Sequence, residues 1–173
     1  QRPIAPSVLE ALRLQASRRP PGASQASLDA LAQPGTTVVV TGQQVGLFLG
    51  PLYSFYKAAS AVVTARALEA ETGARCVPVF WLQTEDHDFE EIDHLQVLDG
   101  EGSLQTLRVR SAHAPRTPIA PLRLGPEVDA ALDGLSAALG DAPLADEVLT
   151  LFRRHYRAEA TWTSAFAGVL SEL

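Results

Sequence analysis

The sequence predicts an α/β fold built on a strand–helix–strand unit, and three observations carry that prediction. Thr37-Val38-Val39-Val40 is a short β-branched run of the kind that forms a buried strand. A glycine-punctuated turn follows it, and Pro51 to Thr72 then has long helical character. Cys76 to Leu82 is a second apolar run, set off by Gly73. Strand, helix and strand at this spacing predict parallel strands joined by a right-handed connection.

Ser7 to Arg18 carries Val8, Leu9, Leu12 and Leu14 at helical spacing, with Ser7 as the expected N-cap and Arg19-Pro20-Pro21-Gly22 as the stop. Ser27 to Gln33 is a shorter helical candidate closed by Pro34-Gly35. The first strand is expected over Thr36 to Thr41. The long helix opens at Gly50-Pro51, with Pro51 at its first position and Gly73 ending it. Leu52, Phe55, Tyr56, Ala59, Val62, Val63, Arg66 and Ala67 roughly follow its 3.6-residue period and are read as its packing stripe. His94 to Leu98 and Ser103 to Arg110 alternate like strands around Asp99-Gly100-Glu101-Gly102, which predicts a β-hairpin. Ala114 to Leu124 is proline-rich and expected to be extended. Pro126 to Leu139 and Leu144 to Arg157 are helical in period, and Thr161 begins a further helix.

The chain has 173 residues, 46% of them hydrophobic, enough for an ordinary globular core. A formal net charge of -6 argues against a nucleic-acid footprint, which is normally basic. No apolar run approaches the roughly 18 residues of a membrane span, and Gln1-Arg2-Pro3 does not open a secretory leader. The single cysteine, Cys76, excludes an internal disulfide and fits a reducing compartment. It is expected to be a buried apolar residue. With no methionine, and with Ser171-Glu172-Leu173 inside a helical pattern, the chain reads as a piece of a longer protein.

Two segments carry candidate chemistry. In the turn, Gly42, Gly46 and Gly50 are expected to supply positive φ and close backbone approach. Strand end and helix start would then aim backbone N–H groups at one spot, suited to an anion. Thr41, Gln43, Gln44 and Tyr53 join this anion site. Lys57 joins it too, although at two turns up the helix it is expected to run along the helix rather than into the turn. The pattern is neither G-x-G-x-x-G nor a Walker A loop, and glycines that simply turn a strand into a helix are the competing explanation. The second segment, Glu85-Asp86-His87-Asp88-Phe89-Glu90-Glu91-Ile92-Asp93, packs six carboxylates and one imidazole into nine residues. It stands at the carboxyl end of an apolar strand, where open α/β sheets place ligands. Its uses are to bind an ammonium group, to hold Mg²⁺, or to act as a general base with His87; the alternative is a solvated loop. Adjacent Asp86, His87 and Asp88 suit a metal poorly, so no metal ligand is assigned. Trp81 is read as a cleft wall and His94 as a structural residue.

Thr41-Gly42-Gln43-Gln44-Val45-Gly46-Leu47-Phe48, Gly50-Pro51-Leu52-Tyr53 and Lys57 form one motif, and Pro78-Val79-Phe80-Trp81 with Glu85-Asp86-His87-Asp88-Phe89-Glu90-Glu91 a second. With Tyr156-Arg157, Thr161 and Ala165-Phe166-Ala167, they resemble the bacillithiol biosynthesis cysteine-adding enzymes, or cysteine ligases, over most of the chain from Gly35 onward. The resemblance implies a Rossmann-like parallel sheet core, akin to class I nucleotidyltransferases, with an inserted β-hairpin and helical connecting segment. Residues 1–93 would be the first part of that core and 94–173 the start of the connecting segment. It implies a longer cytoplasmic protein that dimerises through a C-terminal coiled coil and joins cysteine to glucosaminyl-malate as an amide. ATP and Mg²⁺ enter by analogy only. The related synthetases carry His-x-Gly-His at the first strand–helix turn, where this chain has Thr-Gly-Gln-Gln.

Against that chemistry, His87, Asp86 and Asp88 are the expected catalytic group, and Glu85 and Glu90 the expected ammonium ligands. The turn would take a phosphate or the malate carboxylates. Two other functions compete: a Mg²⁺-dependent phosphotransferase or phosphohydrolase using the acidic loop, and a non-catalytic module that binds a nucleotide or sugar acid. The isolated chain is expected to be inactive.

Overall fold

The computed structural model describes residues 4–18, 23–110, 114 and 116–173. The chain divides into two compact units, Gln1–Gly42 with Tyr56–Trp81, and Gln43–Phe55 with Leu82–Leu173.

The first unit begins with α1, Pro6–Ala16. Its N-cap is Ala5, not Ser7, and Pro6 takes the first helical position. Proline fixes φ and has no N–H to satisfy there, so it sets the start two residues earlier than a Ser7 cap would. Arg19-Pro20-Pro21-Gly22, the expected stop, lie outside the described residues. α2, Ala23–Leu31, starts earlier than the periodicity suggested. Leu9, Leu12 and Ala16 of α1 pack on a core of Leu28, Ala30, Leu31 and Val77.

Two strands follow the expected order, β1 (Thr37–Gln44) and β2 (Cys76–Gln83), and they pair. Thr37 N–H donates to the Arg75 carbonyl at one end, and Gly42 lies against Trp81 at the other, so the strands are parallel. The α/β class stands. Between them runs α3, Tyr53–Thr72, which opens two residues after Pro51; the proline belongs to the preceding turn, not to the helix. Gly73 ends it at φ +68.

The buried face of α3 is not the expected stripe. Leu52, Phe55, Tyr56 and Val63 are exposed, while Ser54, Ala61 and Ala65 are buried. Positions 54, 58, 61 and 65 still follow the helical period, but with small side chains, which let a neighbouring backbone come close.

The second unit contains the hairpin of β3 (His94–Leu98) and β4 (Leu104–Arg108), antiparallel with Leu95 opposite Leu107. Asp99 builds the turn, as its carboxylate accepts from the Glu101 and Ser103 N–H groups at 3.0 and 2.9 Å. Within the proline-rich stretch, Leu122 N–H donates to the Ile119 carbonyl, so the chain turns there instead of staying extended. Arg123 then bridges Thr161. Three helices complete the unit: α4 (Glu127–Leu139), α5 (Ala145–His155) and α6 (Trp162–Glu172). Thr161 caps α6 through a reciprocal pair of bonds with Ser164. Trp162, Phe166 and Tyr156 are fully buried in this unit's core.

Candidate functional site

β1 continues through Gln44, so both glutamines are strand residues and the turn proper starts later than expected. Leu47–Leu49 form one 3₁₀ turn, fully buried, and Gly50–Pro51 is a cis peptide. Positive φ falls on Phe48 (49°) and Leu49 (61°), not on the glycines. Gly46 and Gly50 have φ of -68° and -67°. What these glycines supply is room. A Cβ on Gly46 would lie 3.0 Å from the Gly50 carbonyl carbon and closer still to its oxygen. One on Gly50 would meet Leu95 Cδ1 at 2.7 Å. In the first unit, one on Gly42 would meet the Trp81 carbonyl at 2.6 Å.

The left-handed residues are held by α5. Phe48 stacks on Phe152 at 5.3 Å and meets Tyr156 edge-on at 4.9 Å. The Tyr156 hydroxyl donates to the Gly46 carbonyl (3.1 Å) and accepts from Leu49 N–H (3.3 Å). Burial pushes that phenol far above its ordinary range, so it serves as a fixed neutral brace. Leu47 N–H donates to the Ile92 carbonyl and Gly50 N–H to the Leu47 carbonyl, at 2.9 and 2.8 Å. Of the residues expected to cradle an anion, Gly50 has its amide bonded within the turn, and the neighbouring Leu47 and Leu49 amides are bonded to Ile92 and Tyr156.

Gln44 faces the acidic loop. Gln44 Nε2 donates to Asp86 Oδ2 at 3.0 Å and also to Glu91. Gln43 Nε2 donates to Gln44 Oε1 (3.3 Å) and to the Tyr53 hydroxyl (3.4 Å). Asp86 Oδ1 accepts from the backbone N–H groups of His87 (2.7 Å) and Asp88 (3.1 Å). The Asp88 amide, then the Gln44 amide and the His87 amide, hold the Asp86 carboxyl below the usual carboxylate range. The His87 imidazole is exposed, with Nδ1 4.0 Å from Asp86 Oδ1, beyond hydrogen-bond reach.

The repulsion expected among six carboxylates is relieved by sorting them. Asp86 and Glu91 are tied to Gln44. Asp93 is buried and accepts from Arg108 Nη1 at 2.6 Å, with His94 Nδ1 at 2.9 Å. Glu85, Asp88 and Glu90 are exposed. Between the loop and the end of the hairpin lies a cleft of about 630 Å³. His87, Asp88, Phe89, Glu90, Asp93, Arg108 and Arg110 line it. Its floor is set by Phe89, buried and edge-on to Trp162 at 5.2 Å.

Sequence reasoning missed Asp93, Arg108 and Arg110 as site residues. The available signal was period two: Arg108 and Arg110 flank Val109, which is fully buried, so both arginines leave the core on the same side. Thr41, Gly42, Lys57 and Trp81 belong to the first unit. There Lys57 Nζ donates to the Gly42 carbonyl at 3.4 Å. Because α3 starts at Tyr53, Lys57 is about one turn into the helix, not two, and reaches back along it. Trp81 is 62% exposed, and Cys76 is buried as expected. Among the described residues, no three His, Cys, Asp or Glu side chains converge to hold a metal ion, and no helix is long and apolar enough to cross a membrane.

Residues 4–173 match the family model described as bacillithiol biosynthesis BshC, N-terminal Rossmann-like domain. The chain is 40% identical to the "Putative cysteine ligase BshC" of Solibacter usitatus over 171 residues, covering 96% of this chain and 30% of that protein. The protein of the same name from Heliobacterium modesticaldum is 56% identical over 71 residues, 41% of this chain and 13% of that one. The Bacillus licheniformis protein of that name is 32% identical over 148 residues, 85% and 27%. The chain thus spans less than a third of the length of these relatives. With a matched Rossmann-like domain, a parallel strand pair and the glycine turn and acidic loop in place, the chain belongs to the BshC family of bacillithiol biosynthesis.

Proposed function

We propose that this chain is part of a cysteine ligase that joins cysteine to glucosaminyl-malate through an amide, the last step in making bacillithiol. The observation that carries the reading is the cleft, where the exposed imidazole of His87 stands beside the carboxylates of Asp88 and Glu90. Relatives bearing the cysteine-ligase name support the reaction class.

An amine arriving at neutral pH is an ammonium ion and is not a nucleophile. Asp88 and Glu90 attract the ammonium, and His87 accepts its proton. The freed nitrogen then attacks the acyl carbon of cysteine activated as a mixed anhydride. The C–N bond forms, the anhydride C–O bond breaks with its electron pair leaving on the phosphate oxygen, and the nitrogen's second proton passes to solvent while His87 holds the first. Gln44 sets the loop geometry by holding Asp86 and Glu91. ATP enters only by analogy, as a source of the phosphate in that anhydride; the Leu47, Leu49 and Gly50 amides of the turn have protein partners, and no residue is assigned to hold a nucleotide.

For the whole protein we place the reaction in the cytosol, carried out by a homodimer joined through a C-terminal coiled coil, and take the isolated chain to be inactive. The test uses full-length protein with cysteine, glucosaminyl-malate and candidate activating nucleotides, following the thiol product by mass spectrometry. His87→Ala should reduce turnover by roughly 10² to 10⁴-fold, the usual worth of a general base. Unchanged product formation in both His87→Ala and Gln44→Ala would remove the site assignment.

A further inference from the structure

We infer that the cleft is a subsite for a two-ended ligand, with an amine held at the Asp88–Glu90 wall and a carboxylate gripped by Arg108 and Arg110. This rests on the ligase reading above and reassigns one of its parts. The glycine turn was expected to take either a phosphate or the malate carboxylates, and the structure gives that turn's Leu47, Leu49 and Gly50 amides other partners.

The cleft carries opposite charges on named walls. The acidic side comes from the loop after β2, through Asp88 and Glu90, and the basic side from the end of β4, through Arg108 and Arg110. Ligands with one charge sign would meet repulsion from one wall. An amino-sugar acid has both signs and satisfies both walls. Volume points the same way: at about 630 Å³ the cleft is in the size range of small-molecule pockets, well beyond a single cysteine.

Arg108 is already positioned. Its Nη1 bonds to Asp93, which is only 4% exposed and is also bonded to His94. A guanidinium has five N–H donors in a planar fork, so one bond to Asp93 orients the rest of the group instead of consuming it. The Val109 N–H bond to the Asp93 carbonyl, at 2.8 Å, fixes the backbone between the two arginines. A carboxylate ligand then meets a guanidinium whose rotamer has been chosen before binding, which lowers the ordering cost. The amine end lies on the side of the cleft that carries His87, where the proposed proton transfer takes place.

The test is calorimetric binding to full-length protein, which needs no turnover. The probes are glucosaminyl-malate and its malate dimethyl ester, with the amine intact in both. Arg110 is exposed beyond the strand end, so Arg110→Ala leaves the fold alone. It should weaken glucosaminyl-malate roughly ten- to a hundred-fold, the worth of a charge-assisted hydrogen bond. Affinity for the ester should stay unchanged. Arg108→Lys, which retains charge without the fork, should also shrink the acid-over-ester preference. Equal weakening of acid and ester, or no weakening of the acid, overturns the subsite, as does a wild-type protein that binds acid and ester alike. Product formation in the same preparations separates the two claims. A protein that makes the thiol product but keeps its acid affinity in Arg110→Ala loses this subsite and keeps the ligase reading. One that binds the acid through Arg110 but makes no cysteinyl amide keeps the subsite and loses the reaction.

Discussion

Replacing Gly46 by alanine isolates close approach from backbone conformation. Gly46 has φ -68° and ψ 156°, which alanine adopts freely, so the substitution carries no conformational strain of its own. Its cost is collision. The new Cβ would fall 3.0 Å from the Gly50 carbonyl carbon and nearer to its oxygen, both backbone atoms that cannot swing aside. The turn must open, and opening stretches the 2.8 Å bond from Gly50 N–H to Leu47 and draws the Gly46 carbonyl from the Tyr156 hydroxyl. Overpacking of this kind costs about 1–3 kcal/mol, and a buried hydrogen-bonding group left unpaired about 1–3 kcal/mol more. The sum is about 2–6 kcal/mol, and with a urea slope of about 2–3 kcal/mol/M the unfolding midpoint falls by about 1–3 M.

Urea unfolding followed by tryptophan fluorescence measures this, because Trp162 is fully buried in the unit that contains the turn, while Trp81 is largely exposed. The control is Gly35→Ala. Gly35 has φ +83° and open space around its missing side chain, so its substitution brings strain without collision. It should leave the Trp162 transition in place. If Gly46→Ala unfolds within about 1 kcal/mol of the parent, roughly one overpacking cost, or no earlier than Gly35→Ala, the close-approach explanation of the turn is wrong.

Tyr156→Phe keeps the ring contacts with Phe48 and Phe152 and removes only the hydroxyl, so it should cost about 1–3 kcal/mol and speed hydrogen exchange at the Leu49 amide. Gln44→Glu would set a third carboxylate against Asp86 and Glu91; NMR titration of side-chain carboxyls should show Asp86 moving up from its depressed value. Asp99 titrates below its ordinary range because the Gln105 amide and the Ser103 N–H bind its charged form. With the folded value depressed, its support for the hairpin is complete above the unfolded aspartate pKa of about 3.9 and is lost as pH falls through the folded one. Amide exchange at Glu101 and Ser103 should rise across that acid window, and Asp99→Asn should flatten the dependence.

Local chemistry made much of this fold legible. Asp99-Gly100-Glu101-Gly102 announced the hairpin, Thr161 announced the start of α6, and the β-branched run announced β1, though not as the buried strand expected, since Val38 and Val40 are exposed. What stayed hidden depends on partners distant in sequence. Phe48 and Leu49 take left-handed conformations because Phe152 and Tyr156, more than a hundred residues on, pack against and bond to that turn. A local reading gives positive φ to the nearby glycines, since glycine adopts it at least cost. α3 misled for a related reason: large apolar side chains suggested the core face, but the helix buries its small residues instead. In the acidic loop the charge density was plain, while its division into tied, buried and exposed carboxylates depended on Gln44 and on Arg108 in a later strand.

For the proposed ligase reaction, that division also bears on which group would take the proton. A general base must bind a proton readily at working pH, and its efficiency falls as its pKa drops. Asp86 is poorly suited: two backbone N–H groups and the Gln44 amide occupy its oxygens and stabilise its charged form. Those same bonds shape the loop that presents His87 and Asp88. On the proposed ligase reaction, Asp86 is then a positioning residue, and of the three groups expected to be catalytic the exposed imidazole of His87 is the one that takes the proton. The two roles separate in a pH–rate profile of full-length protein. Asp86→Asn retains one acceptor oxygen and should lower turnover by loosening the loop, while the ionisation that governs kcat/KM stays in the profile. His87→Gln should remove that ionisation altogether. A profile that loses its limb in Asp86→Asn and keeps it in His87→Gln would reverse the assignment.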